Sequence, residues 1–159
     1  SRIESGNMSF HCEDCCAHHF AETVYQTHQV IILPPVEFIK EFPDEDVTIH
    51  IDRMRLTQVI TNFLGNAKKF TSQGHIKLGY FCDKEKKEIH FFVEDTGAGI
   101  PKEELQMIFE RFYKRNEFVQ GVGLGLAISK VIVEKMNGHI DVQSEVNKGS
   151  RFTAVLPYL

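Results

Sequence analysis

The hydrophobic positions along the chain follow two periods. In several short stretches apolar and polar residues alternate, which is typical of half-buried strands, because successive side chains of a strand point to opposite faces. This pattern predicts a short strand at residues 8–12 and further strands at residues 36–42, 47–51, 75–81, 88–94, 139–144 and 151–156.

Elsewhere the apolar residues recur every three or four positions, as they do on the buried face of a helix. The clearest case is formed by Leu56, Val59, Ile60, Phe63, Leu64 and Ala67. Weaker patterns predict helices at residues 17–29, 103–112 and 124–136, the last one ending at Asn137-Gly138. The order of elements predicts an α+β fold, a two-layer sandwich in which a mixed, mostly antiparallel sheet packs against about three helices.

Length and composition narrow the function classes. A chain of 159 residues favours one domain, and its 42% hydrophobic and 25% charged residues are an ordinary globular balance. The formal net charge of -4 argues against nucleic acid or an anionic membrane as the main partner. No apolar run approaches the roughly 20 residues of a membrane helix. Because the chain opens with Ser1 and has no initiator Met, we expect a piece of a longer protein.

Three of the four cysteines, Cys12, Cys15 and Cys16, crowd into HCEDCCAHHF, together with several histidines. A Cys-x-x-Cys pair with nearby His could hold zinc, although no second ligand pair follows at finger-like spacing. The alternative is a strand running into a helix, with reduced cysteines.

A glycine-rich stretch, QGVGLGLAIS, covers residues 120–129. It follows a polar, irregular segment instead of a strand, and no Lys-Ser or Lys-Thr follows it, so it is neither a dinucleotide fingerprint nor a P-loop. Gly121, Gly123 and Gly125 would let backbone N–H groups approach an anion at the positive end of the next helix. The alternative is that these glycines only allow close packing at the helix entry.

A second glycine-containing stretch, FFVEDTGAGIP, covers residues 91–101. An apolar strand delivers Asp95, and a buried carboxylate at a strand end is costly unless something pairs with it. The amino group of adenine would do so, whereas guanine presents an acceptor there and would be repelled. Alternatively, Asp95 caps the turn at Thr96 and Gly97.

Two amides share a helix face in TQVITNFLGNAKKFT, residues 57–71. Asn62 and Asn66 are four residues apart, and an Asn carbonyl is a suitable ligand for Mg²⁺ that bridges phosphates. Lys68 and Lys69 lie within the next turn and could reach phosphate oxygens. Two ordinary solvent-facing amides remain the alternative.

Taken together, these stretches resemble the ATP-binding catalytic domain of bacterial sensor histidine kinases, of the superfamily that includes gyrase-type, heat-shock chaperone and mismatch-repair ATPases. The resemblance covers nearly the whole chain. Residues 52–71, DRMRLTQVITNFLGNAKKFT, are similar to the N box, and VEDTGAGIP is similar to the first glycine box. The F box, second glycine box and third glycine box are matched by IFERFYK, GVGLGLAIS and GSRF. The resemblance implies that residues 1–7 end a linker from absent dimerisation helices and that residues 8–159 form the ATP-binding domain.

The resemblance also implies roles for individual residues. Asp95 would bind the adenine amino group, Asn66 would ligate Mg²⁺, and Asn62, Lys69 and Arg111 would act near the phosphates. Phe70 would pack near the base, and Phe109 and Phe112 would anchor an ATP lid at about residues 101–120. The other positions expected to contact the nucleotide are Gly97, Gly99, Ile100, Gly121, Gly123, Leu124, Gly125 and Leu126.

One position distinguishes kinase from hydrolase. In the ATPase branches a Glu four residues before the Mg²⁺ ligand activates water, and here that position is Asn62, whose amide is a poor base. The implied activity is transfer of the γ-phosphoryl group of Mg-ATP to a histidine outside this chain, because none of the eight His lies in the Ser-His-Glu setting of the family's phosphoacceptor.

The implied partners are the dimerisation and histidine-phosphotransfer domain of the same parent protein and, through it, a response regulator receiver domain. We expect the fragment to be a monomer and a cytoplasmic domain, with its parent a candidate for anchoring in the inner membrane. Two alternatives stay open, a degenerate module that regulates by binding ATP without transfer, and an ATPase of the same superfamily.

Overall fold

The computed structural model describes residues 9–109 and 122–158. Within these ranges the chain forms helices α1 (Ala17–Gln29), α2 (Arg53–Phe70) and α3 (Val122–Lys135). The strands are β1 (Glu13–Cys16), β2 (Val36–Glu41), β3 (Thr48–Ile51), β4 (Gly74–Asp83), β5 (Glu88–Asp95), β6 (His139–Glu145) and β7 (Gly149–Pro157).

The main sheet has five strands in the order β2-β4-β5-β7-β6. Only β2 and β4 run parallel, and every other neighbouring pair is antiparallel. Strands β1 and β3 form a separate antiparallel pair. The predicted α+β architecture with a mixed, mostly antiparallel sheet is therefore confirmed.

One face of the sheet carries the core. Inward residues of β4 and β5 are almost fully buried, and α1 and α2 cover them: the Phe20 ring of α1 meets Phe91 edge-on, with 5.4 Å between ring centroids. On α2, the Phe63 ring packs against that of Phe152 of β7, with 5.5 Å between the ring centroids. Burial of such aromatic and aliphatic side chains is the main force that holds the two layers together. All six residues that predicted the α2 face are buried, namely Leu56, Val59, Ile60, Phe63, Leu64 and Ala67.

Side-chain caps fix where the helices begin. The Asp52 carboxylate accepts a hydrogen bond of 3.0 Å from the backbone N–H of Arg55 and so starts α2. The Cys16 thiol accepts one of 3.3 Å from His19 at the start of α1. Cys16 also donates to Asp46 at 2.6 Å. Among the described residues, the cysteines and histidines of HCEDCCAHHF do not form a three-ligand group, so their zinc site stays a hypothesis.

Two predicted elements were wrong in position or type. The first strand lies at Glu13–Cys16 instead of residues 8–12, because its partner is β3, and this pairing places Cys15 opposite Ile49. The helix expected at 103–112 is, in its described part, a 3-10 helix at Lys102–Glu104 followed by turns as far as Phe109. A short helix makes few hydrogen bonds, which do not offset the free-energy cost of helix nucleation. The turns instead place the Ile108 side chain in the core. No helix in the described ranges is long and apolar enough to cross a membrane.

Candidate functional site

The centre of the candidate site is Asp95, the last residue of β5, which is 7% exposed. Its Oδ1 accepts a hydrogen bond of 2.8 Å from the backbone N–H of Gly97. Burial raises the pKa of Asp95 above its usual range, and the backbone hydrogen bonds from Gly97 and Ser150 oppose part of that rise. A buried carboxylate of this kind gains from any ligand that brings an N–H donor to its remaining lone pairs.

The loop after Asp95 packs tightly against the end of α2. A Cβ atom on Gly97 would lie 2.3 Å from the carbonyl oxygen of Phe70, so no larger residue fits there. The same oxygen accepts a hydrogen bond of 3.2 Å from Ala98. Gly99 has a φ of +73°, which a glycine adopts without strain. The first glycine box therefore closes onto the N box through backbone contacts that require its glycines.

The hairpin between β6 and β7 holds the other side of this loop. The backbone N–H of Ile100 donates to the Ser144 hydroxyl at 2.7 Å. Gly149 has a φ of +122°, and a Cβ atom there would lie 1.9 Å from the carbonyl oxygen of Asp95. The third glycine box thus packs directly against the backbone of Asp95.

Sequence reasoning missed a buried hydroxyl that packs against this loop, that of Thr71. Thr71 directly follows α2 and is 5% exposed, and its Oγ1 has no hydrogen-bond partner in the described structure. A Cβ atom on Gly97 would lie 2.8 Å from that Oγ1. Buried hydroxyls without partners are rare, so Thr71 offers a second polar group in this region, next to Gly97. The available signal was a polar residue placed directly after the helix, at the end of NAKKFT.

Asn62 connects α2 with the second glycine box. Its Nδ2 donates to the carbonyl oxygen of Gly125 at 3.1 Å and to the Ser129 hydroxyl at 3.0 Å. Ser129 is completely buried, and sequence reasoning missed it although it closes the quoted stretch QGVGLGLAIS. Asn66, one turn further along α2, is half-buried, and its amide makes no hydrogen bond to any described residue. The two amides therefore differ: Asn62 is engaged between helices and Asn66 is available to a ligand.

The predicted basic and aromatic positions lie around these groups. Lys68 and Lys69 are exposed in the last turn of α2, and Phe70, which ends the helix, is half-buried. Phe109 meets Phe152 edge-on with 6.3 Å between ring centroids, so the described start of the lid segment is attached to the core.

Helix α3 begins inside the second glycine box, at Val122, so Gly123, Leu124 and Gly125 lie in its first turn. Its first N–H groups have no intrahelical acceptors, and they carry the positive end of the helix dipole. Leu126 is buried in the core. Outside the described residues lie Arg111, Phe112, Gly121 and most of the segment 101–120, so these assignments stay predictions.

The arrangement is that of a nucleotide-binding ATPase domain, and comparison with known proteins gives the family. Residues 51–159 match the family described as histidine kinase-, DNA gyrase B- and HSP90-like ATPases, and the chain belongs to this family.

Two curated relatives are a sensor histidine kinase and a sensor protein. The chain is 33% identical over 163 residues to the sensor histidine kinase WalK of Bacillus subtilis (strain 168), an alignment that covers 99% of this chain and 27% of WalK. It is 44% identical over 110 residues to the sensor protein SrrB of Staphylococcus aureus (strain NCTC 8325 / PS 47), which covers 67% of this chain and 19% of SrrB. The chain thus spans about a quarter or less of the length of these relatives.

A solved structure gives the same fold. Full-length ShkA in complex with AMPPNP superimposes with a TM-score of 0.88 at 27% identity, over 99% of this chain and 33% of ShkA. The sandwich described above is therefore the fold found in ShkA crystallised with AMPPNP.

Proposed function

We propose that this chain binds Mg-ATP and supplies the γ-phosphoryl group to a histidine on a separate dimerisation and phosphotransfer domain of its parent protein. The observation that carries the proposal is the buried Asp95 carboxylate at the end of β5, held by the backbone N–H groups of Gly97 and of Ser150 in the third glycine box. Membership of the ATPase family and the similarity to sensor histidine kinases support it.

In this proposal Asp95 selects the base. Its carboxylate accepts a hydrogen bond from the exocyclic amino group of adenine, whereas the carbonyl oxygen of guanine at that position would face an acceptor. The unpartnered Thr71 hydroxyl, next to Gly97, provides a second polar contact at the same pocket, directly or through a water. Gly97, Gly99 and Ile100 form the wall against which the base packs.

The phosphates lie between the start of α3 and the end of α2. The N–H groups of the first turn of α3, among them that of Gly123, together with the helix dipole, favour a polyanion there. Lys69 is exposed and within reach as a point charge. Asn66 fits a Mg²⁺ ligand, because its amide oxygen is a hard donor without a partner among the described residues. When bound, Mg²⁺ neutralises charge on the phosphates.

Asn62 favours transfer over hydrolysis. Its Nδ2 donates to Gly125 and Ser129, which fixes the amide between two helices. An amide is no general base, so this position does not take a proton from water. The acceptor imidazole attacks the γ-phosphorus in line, the bond to the bridging oxygen breaks, and ADP leaves. Positioning and charge neutralisation then supply most of the rate acceleration, with Arg111 as the proposed basic residue of the lid.

The parent protein would act in two-component signalling. Its dimerisation domain would present the acceptor histidine, and a response regulator would take the phosphoryl group onward. We place the present domain in the cytoplasm, with the parent anchored in the inner membrane.

Calorimetric titration with ATP and then GTP in the presence of Mg²⁺ tests the nucleotide site. We expect ATP to bind and GTP not to bind, and Asp95→Asn to lose ATP binding. Glu94→Gln is the matched control, because Glu94 precedes Asp95 on β5 but points to the other face of the sheet, where it contacts Arg151. Equal loss in both variants, or tight GTP binding by the unaltered chain, would contradict the role of Asp95.

Phosphoryl transfer needs a second experiment. The chain is mixed with the separately supplied dimerisation domain and radiolabelled ATP, and acid-labile phosphate on that domain is measured. Transfer is expected, whereas ATP binding without transfer would favour a regulatory nucleotide-binding module. Acid-labile phosphate on the present chain alone would show that it carries its own acceptor.

A further inference from the structure

A cluster of metal-ligating side chains lies at the turn end of the β4–β5 hairpin, formed by Asp83, Glu88 and His90. Asp83 pairs with Glu88, and Phe81 pairs with His90, so the three ligands project from the same face of the sheet. Their ligand atoms all lie within 4.8 Å of one another. Among residues 9–109 and 122–158 they are the only group of three such ligands that meets this distance.

His90 contains a nitrogen that the rest of the described structure leaves without a partner. Its Nε2 is buried and accepts or donates no hydrogen bond, although Glu88 Oε1 lies 3.6 Å away. The Phe81 ring stacks on the imidazole with 4.5 Å between centroids and an interplanar angle of 18°, which fixes the plane of the ring. A buried, oriented nitrogen without a partner is costly, and a cation between it and the carboxylates would remove that cost.

The two carboxylates complete the donor set. The side chains of His90 and Glu88 are 19% and 28% exposed, so both are largely shielded from water. Asp83 Oδ1 accepts a hydrogen bond of 3.1 Å from the backbone of Lys86, which orients the carboxylate at the start of the turn and leaves its second oxygen for a ligand. Two carboxylates bring two negative charges to the site when ionised, which favours a divalent cation.

We propose that Asp83, Glu88 and His90 bind a divalent transition-metal cation of the Zn²⁺ type. One imidazole nitrogen with two carboxylate oxygens suits such cations, with water in the remaining position, whereas Mg²⁺ and Ca²⁺ prefer all-oxygen sites. The metal connects the ends of β4 and β5 across the hairpin. Glu88 is seven residues from Asp95 along one strand, about 23 Å away, so this site is separate from the nucleotide site.

The test is a calorimetric titration of the whole chain with ZnCl₂ in the absence of nucleotide. We expect one equivalent to bind, and Glu88→Gln and His90→Phe each to lower the affinity by about tenfold or more, since even indirect supports of metal ligands cost 10- to 100-fold. The phenylalanine preserves the ring that stacks on Phe81. His139→Phe is the matched control, because His139 also lies 3.5 Å from a carboxylate two residues away, Asp141, but belongs to no described three-ligand group.

Two further measurements separate the proposal from its alternatives. In a chain with Cys12, Cys15 and Cys16 replaced by Ser, zinc binding should persist, and in an NMR titration of the unaltered chain the His90 Nε2 resonance should shift. Far-UV circular dichroism and ATP titration of each variant show whether it remains folded. Absence of zinc binding, binding that survives in His90→Phe, or binding that disappears only in the serine variant would overturn the proposal.

Discussion

The contact between Asn62 and Ser129 gives the sharpest prediction, because it joins α2 to α3 at the second glycine box. Asn62 Nδ2 donates to both the Ser129 hydroxyl and the Gly125 carbonyl oxygen, at 3.0 and 3.1 Å. We consider the variants Asn62→Ala and Ser129→Ala and the double variant. Each single change removes the contact between the two side chains, so the double variant has no further contact of this kind to lose.

The expected magnitudes follow from the number of hydrogen bonds and from burial. Asn62→Ala removes two hydrogen bonds of about 1 kcal/mol each and leaves a fully buried hydroxyl short of one partner, so we expect a loss of about 2 to 3 kcal/mol in the free energy of unfolding. Ser129→Ala should cost about 1 kcal/mol. The double variant should be less destabilised than the sum of the two by about 1 kcal/mol.

Urea denaturation of the four proteins measures this coupling. Asn66→Ala is the matched control, because Asn66 lies on the same face of α2 and its amide has no hydrogen bond to the described residues, so it should leave stability nearly unchanged. Losses that add within about 0.3 kcal/mol would refute the contact. In ATP titration Ser129→Ala should lower the affinity for ATP less than Asn62→Ala does, because it keeps the hydrogen bond from Asn62 to Gly125.

Three further predictions concern the loops and the outer face of the sheet. Gly149→Ala should lower the free energy of unfolding by about 3 kcal/mol or more, because the φ of +122° and the nearby Asp95 carbonyl oxygen exclude a Cβ atom. Gly65→Ala in α2, where a Cβ atom would meet nothing within 4 Å, should raise it by about 1 kcal/mol. Urea denaturation measures both, and a Gly149→Ala variant of unchanged stability would contradict the packing. Burial raises the folded-state pKa of Asp95 above 3.8, so the stability that comes from this shift is full at low pH and is lost as pH rises through the folded-state pKa. Asp95→Asn should lack this loss when the free energy of unfolding is measured from pH 3 to 7. A wild type whose stability relative to the variant increases with pH would contradict the prediction. Arg151→Lys should lower the free energy of unfolding by about 1 kcal/mol, because Lys cannot place two nitrogens at 2.8 and 3.0 Å from Glu94 Oε1. Thermal denaturation measures this change, and an unchanged melting temperature would show that the ion pair is not stabilising.

The fold could be predicted from the sequence where periodicity was strong. The α2 face from Leu56 to Ala67 has helical spacing, and each alternating stretch from residue 36 to residue 94 became a strand, because a half-buried sheet selects that alternation. Prediction failed where tertiary pairing decides the outcome. The first strand is positioned by β3, about 35 residues away, and no local pattern in HCEDCC encodes that register.

The site could be predicted only in part, for a related reason. Asp95 and the glycines are recognisable because their backbone constraints are local, a strand end and turns that only Gly tolerates. Ser129 and Thr71 were missed, since a single hydroxyl in or beside an apolar run gives no signal until its partner is known. For Ser129 the partner is 67 residues away on another helix.

The same distant contact bears on how the chain would treat ATP. Gly125 and Ser129 belong to the helix whose first turn would hold the phosphates, and Asn62 ties that helix to the one that carries Asn66. A carboxylate at position 62 would present only acceptors to the Gly125 carbonyl oxygen, so the donor amide stabilises this helix pair in a way that a water-activating Glu would not. In the proposed function, the residue that would make hydrolysis unfavourable would therefore also hold together the two helices on either side of the proposed phosphate site.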